Sequence, residues 1–250
     1  MAAKIAIYLI YPFLIGPRKV IRKNFYYIGE EINSHKIREV ILHYILFIAD
    51  FYQVKKLNLN TLKQRVRITG LNYLDDLVKN RASGILVTGH LGNWELAGIY
   101  LAALGYPLTA VVEDIGPLVE FLLELREKTG METILTTETR KVIKAIRAKR
   151  ILVLLGDRDV TKTGVLTPFL YGQKKLPSGP AYLAKRFNLP VFSGYFVYTP
   201  DYNYFKAQIE PVKFPLDSDV RGIQCLIADK IGSYIKKYPT QWIVFQDEWC

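Results

Sequence analysis

One histidine stands between a short apolar run and a helical pattern, a position suited to proton transfer. The chain has three histidines, and His35 and His43 both fall on a long amphipathic helical pattern, where helix packing explains them. His90 instead follows the run GILVT, which is short and apolar enough to be a buried parallel strand. In open parallel sheets, ligands bind beyond the carboxyl ends of the strands. We therefore take His90 as a candidate general base.

A carboxylate, Glu95, lies shortly after His90, in the first turn of the helix that should follow. Along one continuous helix, five steps of about 100° would point the two side chains apart, so a turn has to bring them together. Gly89 and Gly92 permit such a turn, and Asn93 is a suitable N-cap. Glu95 would then hold one ring nitrogen while the other takes a proton from a hydroxyl. A histidine that only satisfies backbone groups is the alternative, but the glycines and the carboxylate favour acyl transfer to an alcohol.

Other catalytic motifs are missing from the sequence. Gly84 and Gly89 have the outer spacing of a P-loop, but His90 and Leu91 occupy the positions of its Lys and Ser/Thr. No GxSxG elbow, HExxH zinc pair or GxGxxG fingerprint occurs. The two cysteines, at positions 225 and 250, have no metal-ligand spacing. We expect direct acyl transfer without a metal, a cofactor or a serine acyl-enzyme.

Helical and strand patterns alternate over most of the chain. Apolar residues recur at three- and four-residue steps from Ser34 to Tyr52, which predicts a long amphipathic helix followed by a basic connector. The alternation after it predicts an α/β fold, a mostly parallel central sheet covered by helices. The 163–178 segment predicts a loop with a hairpin, and Asp217 or Ser218 should cap the last helix. The other expected segments are 71–80, 84–90, 94–104, 108–112, 117–129, 132–135, 140–150 and 151–157, a helix from 180 and two late strands.

The composition fits one domain, since 250 residues that are 50% hydrophobic can bury one large core. Within it we expect a helical membrane-contact region at 1–60 and the enzymatic α/β part at 61–250. The net charge of +11 implies an anionic partner. The basic residues are scattered and no nucleic-acid module is recognisable, while the many tyrosines favour a lipid interface. Arg140, Lys144 and Arg147 share one helix face, which is either simply solvated or docks an acidic carrier protein or lipid phosphates.

The apolar segment from Ile5 to Gly16 is too short to span a bilayer, which needs about 20 apolar residues. It either packs in the core as a helix or lies on the membrane surface. In the second case the basic residues that follow would face anionic head groups. Those residues are Arg18, Lys19, Arg22 and Lys23. We expect a peripheral or monotopic protein at a membrane surface, on its cytoplasmic side.

Several motifs, in the same order along the chain, resemble the late lipid A biosynthesis acyltransferases, a family that includes the phosphatidylinositol mannoside acyltransferases. GHLGNWEL is similar to the family's histidine-x4-acidic motif, and ITGLNYLDDLVKN, LLGDRDV and YPTQW follow its pattern. The resemblance implies a glycerolphosphate acyltransferase-like fold at the membrane surface. It also implies that an acyl group passes from acyl carrier protein or acyl-CoA to a hydroxyl of a glycolipid.

The same resemblance assigns the site residues. It gives His90 as the base and Glu95 as its partner, and it places Arg126 near the acceptor or donor. An arginine or backbone N–H groups would meet the oxyanion. The substrate-binding candidates are Gly92, Asn93, Arg126, Asp157, Arg158 and Asp159. The last three also fit a salt-bridged loop without a direct role.

The acceptor stays open on the sequence. DRDV and PSGPA are closer to the mannoside branch, and FQDEW stands where the lipid A enzymes have a basic HRRW pattern. Lipid A-like and mannoside-like glycolipids are both expected acceptors, with a lysophospholipid or glycerophosphate as the alternative. An inactive lipid-binding protein is a second alternative, against which the intact His90 and Glu95 count.

Overall fold

A seven-stranded sheet forms the centre of the protein. The computed structural model describes residues 11–53, 59–112, 126, 128–160 and 162–250. The strands lie in the order β1-β9-β8-β2-β5-β3-β4, and all neighbours are parallel except β8 and β9. The strands are β1 Val66–Thr69, β2 Gly84–Thr88, β3 Leu108–Val112, β4 Glu132–Leu135, β5 Ile151–Leu155, β8 Val191–Tyr198 and β9 Phe205–Pro211, with a separate hairpin of β6 Val165–Phe169 and β7 Gly172–Leu176. The predicted α/β fold with a mostly parallel sheet is confirmed.

Helices cover both faces of this sheet. They are α1 Ile15–Ile28, α2 Ser34–Gln53, α3 Leu59–Arg65, α4 Leu71–Lys79, α5 Trp94–Ala103, α6 Thr139–Arg147, α7 Gly179–Phe187 and α8 Val220–Lys237. Strand β2 explains the layering, because Ile85 and Val87 point into one apolar core and Leu86 points into the other. The first core includes residues of α1, α2, α6, α7 and α8, whereas the second includes residues of α3, α4 and α5. The α8 stripe predicted from Ile223, Ile227 and Ile231 is buried in the first core.

The two N-terminal helices share the core of the sheet. Ile21 and Phe25 of α1 and Ile37 of α2 are each at most 2% exposed and lie in the same cluster as Ile85. Residues 5–10 of the apolar N-terminal segment, and most of the helix expected at 117–129, lie outside the described residues. No helix in the described part of the chain combines the length and the apolar character that crossing a membrane requires.

Two local predictions are wrong. The basic connector contains helix α3 and strand β1, which pairs in parallel with β9 at the edge of the sheet. Only Val66 of this four-residue strand is buried, so no apolar alternation marked it. The N-cap of α8 is Asp219, whose carboxylate accepts a hydrogen bond of 2.7 Å from the Gly222 N–H. The two earlier candidates, Asp217 and Ser218, lie before the cap.

His43 packs inside the protein, on the inner face of α2. It is 3% exposed, and its Nδ1–H donates to the Thr240 carbonyl at 2.9 Å. The ring stacks on Tyr198 with 5.9 Å between centroids. Burial lowers the pKa of His43 to about 4, although the hydrogen bond to the Thr240 carbonyl opposes the shift. His43 is therefore neutral in the native protein at physiological pH.

His43 should make the protein less stable in mild acid. Between pH 6.5 and pH 4 the unfolded chain binds a proton at this residue and the native protein does not, so native stability falls as the pH falls. The shift corresponds to about 3 kcal/mol in the free energy of unfolding. Urea denaturation at several pH values in this range should show that the free energy of unfolding falls with pH in the wild type. The fall should be smaller in His43→Gln. A His35→Gln control, altered at an exposed histidine of the same helix, should keep the wild-type slope; equal slopes in all three proteins would refute the assignment.

Candidate active site

A five-residue turn, 89–93, joins β2 to α5 at the carboxyl end of the sheet. Gly92 has φ +67°, and a Cβ at this position would lie 2.1 Å from the Phe196 carbonyl oxygen, so only glycine fits. The Gly92 N–H donates to the Gln241 carbonyl at 2.9 Å, and the Asn93 N–H donates to the Phe196 carbonyl at 2.8 Å. The turn is therefore fixed to β8 on one side and to the chain after α8 on the other.

Asn93 starts α5 and is 2% exposed. Its Oδ1 accepts the Leu96 N–H at 3.0 Å, and its Nδ2 donates to Asp50 at 3.1 Å and to the Tyr198 hydroxyl at 3.3 Å. The Tyr198 hydroxyl also donates to Asp50 at 2.6 Å, and burial raises the pKa of Asp50 against the effect of these bonds. Asn93 was predicted to bind substrate, but the structure uses its side chain inside the protein, where it shapes the turn.

Asp157 is the hydrogen-bond partner of the His90 ring. Its Oδ1 lies 2.8 Å from His90 Nδ1, and its Oδ2 accepts the His90 N–H at 2.9 Å and the Trp242 Nε1–H at 2.8 Å. Asp157 is 0% exposed, whereas 14% of the His90 side chain is accessible. One buried carboxylate thus fixes both the ring and the main chain of His90. The other ring nitrogen, Nε2, has no hydrogen-bond partner among the described residues.

The electrostatics keep this carboxylate charged. Burial alone would raise the pKa of Asp157, but the charge and hydrogen bond of His90, the charge of Lys174 and the Trp242 hydrogen bond outweigh it. The net result is a pKa below the ordinary value of an aspartate. An ionised carboxylate on Nδ1 sets the tautomer of the ring and would stabilise an imidazolium.

Glu95 has a different partner from the one predicted. Both of its carboxylate oxygens lie 2.9 Å from Arg126 Nη2, and the two side chains are 12% and 5% exposed. The expected acceptance of a His90 ring hydrogen bond by Glu95 is wrong: Asp157 holds His90 Nδ1, and the Glu95 carboxylate accepts from Arg126. The physical reason is the strand order: β5 lies beside β2 with Leu155 opposite Thr88, so the residue shortly after β5 reaches the turn. Glu95 and Arg126 form a nearly buried ion pair at the start of α5.

The two residues after Asp157 are tied into the loop that carries them. Arg158 Nε donates to Glu248 Oε1 at 3.0 Å, and Asp159 Oδ1 accepts the Thr163 N–H at 3.1 Å. Glu248 also pairs with Lys174 at 3.2 Å. Arg158 and Asp159 were predicted to bind substrate, and the structure places both in contacts within the protein.

Four N–H groups of the turn already have partners within the protein. Its N–H groups at His90, Leu91, Gly92 and Asn93 donate to Asp157, Gly89, Gln241 and Phe196, respectively. The sequence suggested that backbone N–H groups could meet the oxyanion. These four N–H groups are not available for that role. The His90 ring lies edge-to-face on Trp94, the first residue of α5, with 4.9 Å between centroids.

A narrow apolar cavity of about 40 Å³ begins beside this turn. It lies between α5 and the sheet, where Trp94, Ala97, Gly98 and Leu101 of α5 face residues of several strands. Thr88, at the end of β2, also lines it. This volume is well below the roughly 300 Å³ at which ligand pockets usually start. A ligand longer than a few atoms therefore requires α5 or its neighbours to move.

Comparison with known proteins places these features in a family. The family model described as bacterial lipid A biosynthesis acyltransferase matches residues 1–250. A phosphatidylinositol mannoside acyltransferase of Mycolicibacterium smegmatis is 24% identical over 244 residues, which cover 94% of this chain and 80% of the relative. One of Mycobacterium tuberculosis is 27% identical over 194 residues, 73% of this chain and 59% of the relative. The predicted family is confirmed: the chain belongs to the bacterial lipid A biosynthesis acyltransferases and is an acyltransferase enzyme.

Proposed function

We propose that the protein transfers a fatty acyl group from an acyl thioester, carried by coenzyme A or acyl carrier protein, to a hydroxyl of a membrane glycolipid, with His90 as general base. The observation that carries this proposal is the 2.8 Å contact between His90 Nδ1 and the buried carboxylate of Asp157. A histidine held in this way presents an unprotonated Nε2 to a substrate hydroxyl. Direct acyl transfer to an alcohol needs such a base.

The reaction follows from this geometry. His90 Nε2 takes the proton of the acceptor hydroxyl while the oxygen attacks the thioester carbonyl carbon. The tetrahedral intermediate then collapses, the carbon–sulfur bond breaks, and the thiolate receives the proton from Nε2. Asp157 stabilises the imidazolium that exists between these two transfers. The oxyanion is met by donors other than the N–H groups of residues 90–93. Arg126 and Arg158 are the arginine candidates.

The apolar cavity beside α5 is our candidate for the start of the acyl-chain site. Most of its lining residues are apolar, among them Leu86, Leu101 and Ile209, which suits methylene groups. Two of its lining residues, Thr88 and Trp94, precede and follow His90 in the sequence. The α5 wall of the cavity carries the small residues Ala97 and Gly98 between the larger Trp94 and Leu101.

The proposed acceptor is a glycolipid of the lipid A or phosphatidylinositol mannoside type. Support comes from the names of the matched relatives, which are mannoside acyltransferases, and from the DRDV and PSGPA motifs. The test offers purified protein one acyl donor and three acceptors: a phosphatidylinositol mannoside, a lipid A precursor and a lysophospholipid. Mass spectrometry should detect faster acylation of a glycolipid. Preference for the lysophospholipid, or thioester hydrolysis without any acyl product, would refute the proposal. Repeating the assay with acyl-CoA and with acyl carrier protein identifies the donor.

We further propose that the protein works on the cytoplasmic face of a bacterial inner membrane and that α1 contacts the lipid. Phe13, Ile15 and Tyr26 are 85%, 61% and 75% exposed, and Lys19 and Arg22 beside them are also exposed. Two of the four basic residues predicted to face head groups have protein contacts: Arg18 lies on the Tyr11 ring and Lys23 pairs with Asp247.

The paired change Lys19→Ala/Arg22→Ala should weaken binding to anionic vesicles. Each basic residue at such a surface contributes about 1 kcal/mol, so the loss should be roughly 30-fold in affinity at low salt. Flotation or vesicle titration measures it. The matched control is Lys63→Ala/Lys79→Ala, which removes two exposed lysines from α3 and α4 on the other side of the sheet. Equal losses in the two variants would mean that α1 is not the contact surface.

A further inference from the structure

One lysine of the β6–β7 hairpin is buried next to the candidate catalytic pair. Lys174 is 1% exposed, although its neighbour Lys175 on the same strand is exposed. Its Nζ donates to the Asp157 carbonyl oxygen at 3.0 Å and lies 3.2 Å from Glu248 Oε2. A buried ammonium group is costly unless it is paired and hydrogen-bonded. Lys174 is hydrogen-bonded to the Asp157 carbonyl after β5 and paired with the Glu248 carboxylate, so it meets both conditions.

Three aromatic rings complete the surroundings of this ammonium group. The centroids of Phe169, Trp242 and Trp249 lie 5.7, 5.4 and 5.3 Å from Lys174 Nζ, within the range of cation–π attraction. Trp242 also donates its Nε1–H to the Asp157 carboxylate. The surroundings of Lys174 and the candidate active site therefore share two residues, Trp242 and Asp157.

Packing alone does not require a lysine at this position. A methionine has a similar length and would fill the aromatic box without the cost of burying a charge. Replacing buried ion pairs by apolar residues of similar volume is often neutral or stabilising. A charged group here needs a reason beyond stability.

We propose that Lys174 is a positioning residue for acyl transfer, an inference that rests on the proposed function: its ammonium group fixes the main chain of Asp157 and places a positive charge beside the His90–Asp157 pair. Burial has the largest effect on the pKa of Asp157 and raises it. His90 lowers this pKa most, and the charge of Lys174 lowers it further. Among the described residues, the neighbouring charged groups include Arg158 and Glu248, which are bound to each other, and the Glu95–Arg126 ion pair at the start of α5. Asp159 lies in the same loop as Asp157, and Asp50 contacts Asn93 of the turn.

The test is the pH dependence of turnover in Lys174→Met, with Lys175→Met as the matched control. Without the positive charge the imidazolium is easier to form, so the acidic limb of the pH–rate profile should move to higher pH by about half a unit or more. We also expect kcat at saturating substrates to fall about tenfold, because the main chain of Asp157 loses a donor. Lys175→Met should match the wild type in both measurements. A purely structural lysine would leave the acidic limb where it is.

A second pair of variants covers the case in which Lys174→Met does not fold. Lys174→Met/Glu248→Gln removes both charges of the ion pair and leaves no buried carboxylate without its lysine. Glu248→Gln alone keeps the lysine but removes its counter-charge, so its acidic limb should move to lower pH. The double variant loses one charge of each sign, so its acidic limb should stay near that of the wild type. An unmoved limb in a folded Lys174→Met or Glu248→Gln enzyme overturns the role of Lys174. Absence of acyl transfer in the wild type would instead overturn the proposed function.

Discussion

His90→Ala is expected to lower kcat by about 10² to 10⁴ while the protein stays folded. A general base contributes a factor of this size, and alanine has no group that can take the proton from the acceptor hydroxyl. The residue lies in a turn at the carboxyl end of the central strand β2 and belongs to neither apolar core. The measurement is kcat at saturating donor and acceptor, where a defect in binding disappears and a defect in chemistry remains.

An exposed histidine provides the control for this change. His35→Ala alters a solvent-facing position of α2 and should keep the wild-type kcat. Circular dichroism and thermal melts on the same samples separate lost chemistry from lost structure. A folded His90→Ala enzyme that turns over within a few-fold of the wild type would show that another group is the base.

Asp157→Asn should be nearly as damaging, with a loss of about 10³-fold in kcat. The amide is almost the same size, and its oxygen can still accept the Trp242 and His90 N–H groups. Its NH₂ group, however, would face His90 Nδ1 and donate to it, which forces the ring proton onto Nε2. In that tautomer Nε2 cannot accept the proton of the hydroxyl, and no carboxylate stabilises the imidazolium. A buried carboxylate beside a catalytic histidine has an effect of this order in serine proteases.

Glu95→Gln is the matched control, because it makes the same carboxylate-to-amide change at the other candidate partner of His90. We expect less than a tenfold loss in kcat there, since the amide oxygen still accepts from Arg126 and no bond to His90 is altered. The two variants therefore discriminate between the geometry of the structure and the pairing first expected from the motif. A severe loss in Glu95→Gln with a mild one in Asp157→Asn would restore Glu95 as the orienting group.

Much of the fold follows from local patterns. The strands at 108–112 and 132–135 have the predicted bounds, because short apolar runs between turn signals are typical of buried parallel strands. The α8 stripe was equally clear. Strand β1 was missed, since a short edge strand with one buried residue carries no period-two signal. Its existence depends on pairing with β9, which lies about 140 residues away and which no local pattern indicates.

The sequence identified His90 as the candidate base but did not predict which residues contact it. His90 was identified because one strand, its following turn and two glycines are contiguous in the sequence. Asp157 was recognised only as a candidate for substrate binding, since its contact with His90 requires knowing that β5 lies beside β2. Asp50 gave no signal, because its role comes from a contact across 43 residues to Asn93. The sequence marked Lys174 only as one of a pair of basic residues in a loop, because its contact with Asp157 spans 17 residues.

The C-terminal segment also determines when the protein can finish folding. Trp249 Nε1 donates to Asn24 in α1 at 2.7 Å, and Asp247 pairs with Lys23 of the same helix, across 225 and 224 residues. Contacts over such separations form late, because the chain between them must be ordered first. During synthesis α1 is made early and then waits for residues 244–249 to leave the ribosome. For that whole interval Lys23 and Asn24 lack the partners that the C-terminal segment supplies, although α2 and the strands that share the core of α1 are made earlier.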